Sequence, residues 1–263
     1  MPIRRRAAVL YMSGLMALGA QIASAQTSGD PAAAPTSTSS VDTPRPMPGF
    51  RDLFTPVKDL KQLARRPDVW VLGVGTAGAF MARPFDSPSA RSDWNPGMAN
   101  VLRPGEIVGG AAMQSGTAFA TYVVGRAIRK PRVAAVGADL VRAQILTQMT
   151  TQAIKFSAQR TRPDGTSLSF PSGHTSASFA TATVLKSHFG WKAGIPAYAM
   201  ATWVAASRVQ KDRHYVSDVI AGATLGILAG KAVTVGRGSA KFTMSPMAAP
   251  GGIGVSFTLV GQK

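Results

Sequence analysis

From residue 50 onward, apolar residues recur every three or four positions in stretches that Gly and Pro interrupt. The periodicity predicts helical stretches over 55–66, 69–82, 107–128, 133–162, 174–188, 193–208 and 214–235. The longest stretch is predicted to end at Pro163, because proline cannot continue a helix and disfavours helical geometry in the residue before it. The pattern therefore predicts an all-α fold, a helical bundle of about six helices over residues 50–236.

Residues 237–263 follow a different pattern. Two segments, 241–247 and 253–260, alternate apolar and polar residues around Ala-Pro-Gly-Gly, which is typical of two strands joined by a turn. We predict a small C-terminal β-hairpin here.

Two segments precede the predicted bundle. Residues 1–25 combine a basic start, a largely apolar stretch and a final Ala-Ser-Ala, the three parts of a secretory signal peptide. A retained membrane anchor is the alternative interpretation. Residues 26–49 are rich in Pro, Ala, Ser and Thr and have few large apolar side chains, so we predict a disordered linker. The signal peptide predicts export to the periplasm.

Composition narrows the range of partners. The chain has 29 Lys and Arg against 12 Asp and Glu, a net charge of +17, and it remains at +14 without residues 1–25. The excess favours an anionic partner, which could be nucleic acid, an acidic membrane surface or a phosphate-bearing substrate. Export counts against nucleic acid, so we expect none. The absence of Cys excludes a disulfide framework, an iron–sulfur cluster and a thiol nucleophile.

Whether the helices cross a bilayer is open at this stage. A membrane-spanning helix needs about 20 mostly apolar residues, and the apolar stretches here are shorter or carry charged and amide residues. We favour a bundle associated with the inner membrane, resting on it or partly embedded.

Candidate chemistry lies between residues 155 and 218. Lys155 and Arg162 are seven residues apart, and on the predicted helix both would project from one face. Pro171-Ser172-Gly173-His174 opens the next helix, where free backbone N–H groups favour a phosphate and the Ser172 hydroxyl can donate. A phosphate site is one interpretation of these residues; a solvated helix face and an ordinary helix cap are the others.

Further along the chain lie an arginine, a histidine and an aspartate. Arg208 offers a planar fork that suits two phosphate oxygens. His214 and Asp218, four apart on one predicted helix, allow the carboxylate to accept from one ring nitrogen and leave the other free to attack. Each feature alone has an ordinary structural explanation. Their occurrence together, in this order, favours a site for a tetrahedral anion.

The ordered residues resemble the signature of the type 2 phosphatidic acid phosphatase (PAP2) superfamily, which also includes bacterial acid phosphatases and vanadium haloperoxidases. The three parts, Lys-x6-Arg-Pro, Pro-Ser-Gly-His and Ser-Arg-x5-His-x3-Asp, are present without a departure, and the resemblance covers about residues 105–235. It implies a helical bundle, a phosphohistidine intermediate on His214, an orienting role for Asp218 and acid–base catalysis by His174. It also implies phosphate-binding roles for Lys155, Arg162, Ser172, Gly173 and Arg208.

The resemblance leads to a hypothesis of function. We expect an exported, metal-independent phosphatase that hydrolyses phosphomonoesters or pyrophosphates of lipids, of the phosphatidate or polyprenyl type, near an anionic membrane surface. Only seven residues, 164–170, separate the first two motifs, whereas the soluble acid phosphatases of the superfamily usually carry a longer insert there. No cofactor is expected. The alternatives are a vanadium-dependent haloperoxidase, which would bind vanadate, a phosphotransferase and a non-enzymatic basic binding module. The ester cleaved and the oligomeric state stay open.

Overall fold

The computed structural model describes residues 47–55, 58, 59, 61, 70–86 and 96–234, together with the backbone of 241–249 and 252–260. The predicted signal peptide, nearly all of the predicted linker and most of the predicted helix over 55–66 lie outside the described residues. The domain boundaries proposed above stay predictions.

The described chain is predominantly helical, as predicted. Two short 3-10 turns, Phe50–Leu53 and Arg83–Phe85, accompany the α-helices. Within the described residues, six of these helices have 13 residues or more, which agrees with the predicted number. In chain order the helices are α1 Trp70–Ala82, α2 Pro96–Leu102, α3 Gly105–Val108, α4 Ala111–Ala127, α5 Pro131–Ala158, α6 Gly173–Phe189, α7 Trp191–Gln210 and α8 Val216–Val233.

The backbone near the C-terminus is extended. Strands β1 Lys241–Ala249 and β2 Gly252–Val260 pair in antiparallel register, with Lys241 opposite Val260. The side chains of this tail lie outside what the structure describes. The predicted β-hairpin appendage therefore stays a prediction, and nothing about the site depends on it.

Helix α6 is the central helix of the bundle and packs against α5, α7 and α8. The contact with α8 is close because Gly222, Gly226 and Gly230, spaced four apart on one side of α8, face α6. A Cβ atom at Gly226 would lie 2.3 Å from the carbonyl oxygen of Ser176, so no larger residue fits without a backbone shift. This packing fixes the beginning of α6 against the beginning of α8.

Helix α5 ends earlier than predicted. Its last residue is Ala158, and Gln159 adopts the left-handed conformation, with φ 44°, while its N–H still bonds to the Lys155 carbonyl. Arg162 is therefore in the loop of residues 159–172, and the prediction that Lys155 and Arg162 share a helical face is wrong. Pro163 marks only the last point at which the helix could have ended, whereas the left-handed residue ends it four positions sooner.

Helix α8 begins later than predicted. Its first residue is Val216, and Tyr215 is the capping residue, whose N–H donates to Asp218 Oδ2 at 2.9 Å. His214 therefore precedes the helix, and the prediction that His214 and Asp218 are four apart on one helix is wrong. The Asp218 carboxylate binds the orphan N–H at the helix start, a common role for an acidic residue in the first turn.

A second polar cluster lies far from these helix ends. His188 is near the end of α6; its side chain is 6% exposed, and its Nε2 lies 2.8 Å from Asp139 Oδ2. Arg142 pairs with both Asp139 and Asp59. Asp139 precedes Lys155 by 16 residues on α5, about 24 Å at 1.5 Å per residue, so the cluster is remote from the candidate site.

Within the described part of the chain, α8 is the one helix with the length and apolar composition of a membrane span. More than half of it is buried against its neighbours, and the core helix of a soluble protein has the same properties.

Candidate active site

The residues singled out from the sequence come together where α5 and α7 end and α6 and α8 begin. The Ser172 N–H donates to the Asp218 carbonyl at 3.0 Å, and a Cβ atom at Gly173 would lie 4.0 Å from Lys155 Cε. Electrostatic interactions connect His214 with Lys155 and Arg162, and His174 with Arg208 and His214. The structure thus places all eight predicted residues in one site: Lys155, Arg162, Ser172, Gly173, His174, Arg208, His214 and Asp218. Their individual roles stay predictions.

His214 has a defined tautomer. The side chain is 3% exposed, and its Nδ1 lies 2.7 Å from the Ser169 carbonyl oxygen. Because a carbonyl can only accept, Nδ1 must carry the proton, and Nε2 keeps its free lone pair. Asp218 Oδ2 is 3.7 Å from Nδ1, beyond hydrogen-bond distance. The predicted direct hydrogen bond from His214 to Asp218 is therefore wrong.

Ser169 connects the two residues instead. Its hydroxyl donates to Asp218 Oδ2 at 2.5 Å, while its carbonyl accepts from His214. Asp218 can thus orient the imidazole through Ser169.

The charge state of His214 also suits a nucleophile. Burial lowers the pKa of His214, and the positive charges of Lys155 and Arg162 lower it further, although Asp218 opposes them. The imidazole is therefore neutral at pH 7. A neutral, buried ring with one free nitrogen can attack an electrophilic phosphorus.

His174, the second residue of α6, is neutral as well. Burial, and then the nearby Arg208 and His214, lower the pKa of His174 to about 4. In the empty site the neutral ring can accept a proton, but it cannot act as a general acid until it is protonated. A bound phosphate dianion would raise this pKa, because an adjacent negative charge favours the protonated ring. The turn at Gly109 contacts this histidine: a Cβ atom there would lie 3.3 Å from His174 Cβ.

Lys155 approaches the site from α5. It is buried, and its Nζ donates to the Leu168 carbonyl at 2.5 Å. Burial and the charge of Arg162 lower the pKa of Lys155 to about 8, against the opposing effect of Asp218. The ammonium group is thus charged at pH 7, held at a cost that a bound anion would offset.

Two arginines carry unused donors. Arg162 Nε, Arg208 Nε and Arg208 Nη1 are buried, and none of these three atoms has a hydrogen-bond partner in the described structure. Glu106 Oε1 lies 3.6 Å from Arg208 Nη1, too far for a hydrogen bond, and Glu106 forms an ion pair with Lys211. Because buried donors are rarely left unpaired, these atoms indicate an anion site.

Ser172, the capping residue of α6, keeps one donor that an anion could use. Ser172 is fully buried, and its N–H is occupied by the Asp218 carbonyl, so this amide is not available to a phosphate. The Ser172 hydroxyl accepts from Thr175 Oγ1 at 3.0 Å, and its own hydrogen can still donate to an anion.

Sequence reasoning missed two residues of the site, Ser169 and Arg160. Arg160 Nη1 donates to Asp218 Oδ1 at 2.8 Å, on the side of the carboxylate away from Ser169. Both lie in the loop of residues 159–172, where the spacing of the motifs gives no signal. Among the described residues, no group of three or more His, Asp or Glu side chains could hold a metal ion.

Three cationic side chains around two neutral imidazoles form a site whose chemistry suits a phosphate-bearing ligand. Residues 137–240 match the family model described as the PAP2 superfamily. This region of the chain is similar to the PAP2 superfamily.

Two known proteins are similar to parts of this chain. The lipid A 1-phosphatase of Porphyromonas gingivalis is 42% identical over 81 residues, which are 29% of this chain. The matched region spans 18% of that curated relative's length. A transmembrane PAP2-type phosphatidylglycerolphosphate phosphatase from Bacillus subtilis, known from a crystal structure, is 21% identical with a TM-score of 0.39, and the alignment covers 70% of this chain and 92% of that one. That score is too low to support a detailed comparison of the two folds.

Proposed function

We propose that this protein is a phosphoric ester hydrolase that removes phosphate from a lipid through a phosphohistidine intermediate. The observation that carries the proposal is the set of buried, unpaired guanidinium nitrogens of Arg162 and Arg208 in the same site as His214, whose Nε2 is free. An anion that fills the unpaired donors would bring its phosphorus to the nucleophile. The match of residues 137–240 to the PAP2 superfamily model supports the same reaction class.

The first half of the reaction transfers the phosphoryl group to the enzyme. His214 Nε2 attacks phosphorus, a P–N bond forms, and the bond between phosphorus and the leaving oxygen breaks. His174 donates a proton to that oxygen. Since His174 is neutral in the empty site, it must take up this proton when the substrate binds. A phosphomonoester has its second pKa near 6, and its bound dianion favours protonation of the His174 ring.

The second half regenerates the enzyme. His174, now neutral, accepts a proton from water, whose oxygen attacks phosphorus as the P–N bond breaks. Inorganic phosphate leaves, and His214 recovers its lone pair. Lys155, Arg162 and Arg208 stabilise the negative charge on the equatorial oxygens in both halves, and positioning and charge supply most of the catalysis.

The surface of the bundle supports a lipid as the substrate. Helix α1 has no charged residue, and its exposed side chains include Trp70, Phe80 and Met81, which are 61%, 72% and 73% exposed. Exposed apolar side chains continue on α4 and α7, among them Phe119 and Ile195. Apolar surface of this extent is typical of contact with lipid. We propose that the protein is membrane-associated and takes its substrate from the bilayer.

We also propose that the protein works outside the cytoplasm. The support is the signal peptide predicted over residues 1–25 and the positive charge that remains after its removal, which favours anionic lipid headgroups. Fractionation of cells that express the full chain tests this part: the protein should be in the periplasmic or membrane fraction, and its recovery from the cytosol would contradict the proposal.

The reaction is tested with the purified protein in mixed detergent micelles that contain phosphatidate or a polyprenyl phosphate. We expect release of inorganic phosphate that EDTA does not reduce. His214→Ala should lower the rate at least about 1,000-fold, because the nucleophile is lost, and His174→Ala by about 100- to 10,000-fold. His188→Gln is the matched control, since this histidine belongs to the remote cluster, and its rate should stay within about threefold.

Trapping experiments separate this mechanism from its alternatives. Quenching of the wild type with alkaline detergent, after reaction with radiolabelled substrate, should give a phosphoprotein that later acid treatment hydrolyses, and His214→Ala should give none. Full activity in His214→Ala would contradict the mechanism. Phosphorylated product in the presence of an alcohol acceptor would instead indicate a phosphotransferase, and peroxide-dependent halide oxidation after loading with vanadate would indicate a haloperoxidase.

A further inference from the structure

Arg160 is outside the signature, yet it makes more contacts with the site than the sequence predicts. Its Nη1 donates to Asp218 Oδ1 at 2.8 Å and to Ser217 Oγ at 2.7 Å, and its Nη2 donates to Asp86 Oδ2 at 2.9 Å. The guanidinium group also lies over the Tyr215 ring, 4.2 Å from its centre. The side chain is thus held on three sides at the start of α8.

Asp86 supplies the other half of this arrangement. It follows the 3-10 turn after α1, and its side chain is 5% exposed. Besides binding Arg160, it accepts from the Ser217 N–H at 3.1 Å and from the Ser217 hydroxyl at 2.5 Å, across 131 residues of sequence. The carboxylate therefore pins the guanidinium group to the first turn of α8, next to Asp218.

The contacts form a continuous chain that ends at the nucleophile. Asp86 holds Arg160, Arg160 holds Asp218 Oδ1, and the opposite oxygen, Oδ2, accepts from Ser169, whose carbonyl sets the tautomer of His214. Arg160 is the side chain that fixes the Asp218 carboxylate from the side away from the nucleophile.

We propose that Arg160 and Asp86 are positioning residues of the active site, which hold Asp218 so that Ser169 keeps His214 in its attacking tautomer. The proposal rests on the function proposed above for its catalytic consequence, but its structural consequence, the tautomer of His214, does not.

The electrostatics of Asp218 agree with this assignment. Burial alone would raise the pKa of Asp218, but the interactions with His214, Ser169 and the Tyr215 amide, together with the charge of Arg160, lower it. A carboxylate kept ionised accepts all three hydrogen bonds at once, from Arg160, Ser169 and the Tyr215 N–H, and has no protonated oxygen to present. If Asp86 and Arg160 served only to hold α1 against α8, Arg160 would not need to contact the Asp218 carboxylate.

Arg160→Lys is the first test, in the full-length protein. A lysine is a point charge without the planar fork, so it cannot span both carboxylates. We expect kcat to fall about 10- to 100-fold while the affinity for vanadate, a mimic of the phosphate group, changes less than twofold, because Lys155, Arg162 and Arg208 are intact. Arg213→Lys is the matched control, since Arg213 is an exposed arginine that pairs with Asp164 and not with Asp218, and it should leave kcat unchanged.

Asp86→Asn tests the chain from its other end. If Asp86 acts through Arg160, the double variant Arg160→Lys/Asp86→Asn should be no slower than the slower single variant, because both changes break one chain of contacts. Effects on kcat that multiply would contradict the proposal. So would a parallel loss of kcat, vanadate affinity and Tm in each single variant, the result expected of a purely structural tie.

Nitrogen-15 NMR of the imidazoles separates failure of this proposal from failure of the proposed function. The chain has only three histidines, and His188→Gln and His174→Gln assign the signals by elimination. Wild-type His214 should show a single neutral tautomer with the proton on Nδ1, and Arg160→Lys should show a mixture. An unchanged tautomer in Arg160→Lys would overturn the proposal even if phosphate is released. If the wild type releases no phosphate, yet Arg160→Lys changes the tautomer of His214, only the proposed function is overturned.

Discussion

Arg208 allows a test in which activity and stability should change in opposite directions. The side chain is 3% exposed, and two of its nitrogens, Nε and Nη1, have no hydrogen-bond partner in the described structure. In the empty protein these buried donors cost stability, and on a bound phosphate they become charge-assisted hydrogen bonds. Arg208→Met is the informative variant, because methionine fills similar space without a charge or a donor.

The magnitudes follow from these two atoms. A hydrogen bond to a charged group contributes about 1.5–3 kcal/mol, so two contribute about 3–6 kcal/mol to binding in the transition state. At about 1.4 kcal/mol for each factor of ten, kcat/KM should fall about 100- to 10,000-fold. The empty protein should gain about 1 kcal/mol, after the lost packing and ion-pair contact with Glu106 offset part of the relief, and Tm should rise by about 2–4 °C.

Thermal unfolding with and without vanadate measures both effects on one sample. At 100 times its Kd, vanadate should stabilise the wild type by about 2.7 kcal/mol and have little effect on Arg208→Met. Phosphate release in mixed micelles gives kcat/KM for the same preparations. Arg213→Met serves as the control for removal of an arginine, and it should leave both readouts nearly unchanged. A variant that loses stability together with activity would refute the reasoning, because Arg208 would then be a structural residue.

Two further predictions concern packing and pH. Gly226→Ala should lower the free energy of unfolding by up to about 2 kcal/mol, because overpacking against the Ser176 carbonyl costs about 1–3 kcal/mol and the gain in helix propensity offsets about 1. Gly116→Ala, with no atom within 4 Å of the new Cβ, should raise it by about 0.5–1 kcal/mol, and equal effects in urea unfolding would contradict the close α6–α8 contact. The affinity of the empty site for vanadate, measured by calorimetric titration, should decrease as the pH rises through about 8, where Lys155 loses its charge. Lys155→Arg should remove this pH dependence, and the same decrease in that variant would exclude Lys155 as its source.

The pattern of the sequence was sufficient to predict the helical fold and the residues that come together at the site. Apolar periodicity located the long helices because burial of one face imposes a helical period on the residues themselves. The order of the signature residues identified the eight members of the site for a similar reason. Binding one tetrahedral anion requires particular side-chain types, and these remain visible in the sequence wherever the chain folds.

The helix ends and the hydrogen bonds between those residues were harder to predict from the sequence. The sequence placed Lys155 and Arg162 on one helix and joined His214 directly to Asp218, and the structure contradicts both. A helix ends where one residue turns left-handed, as Gln159 does, and many residues can adopt that conformation when the following loop demands it. The sequence of a helix end is therefore a weak guide to its position.

The sequence by itself thus determined which side chains meet at the site, and it predicts an anionic ligand for them, because chemistry restricts residue type. Only the tertiary structure decided how these side chains are held. The Ser169 carbonyl reaches His214 because the loop of residues 159–172 folds back on itself, and Asp86 reaches Arg160 because α1 packs against α8. Such contacts join distant segments through backbone groups and ordinary polar side chains, whose partners are chosen by packing and leave no regular spacing in the sequence.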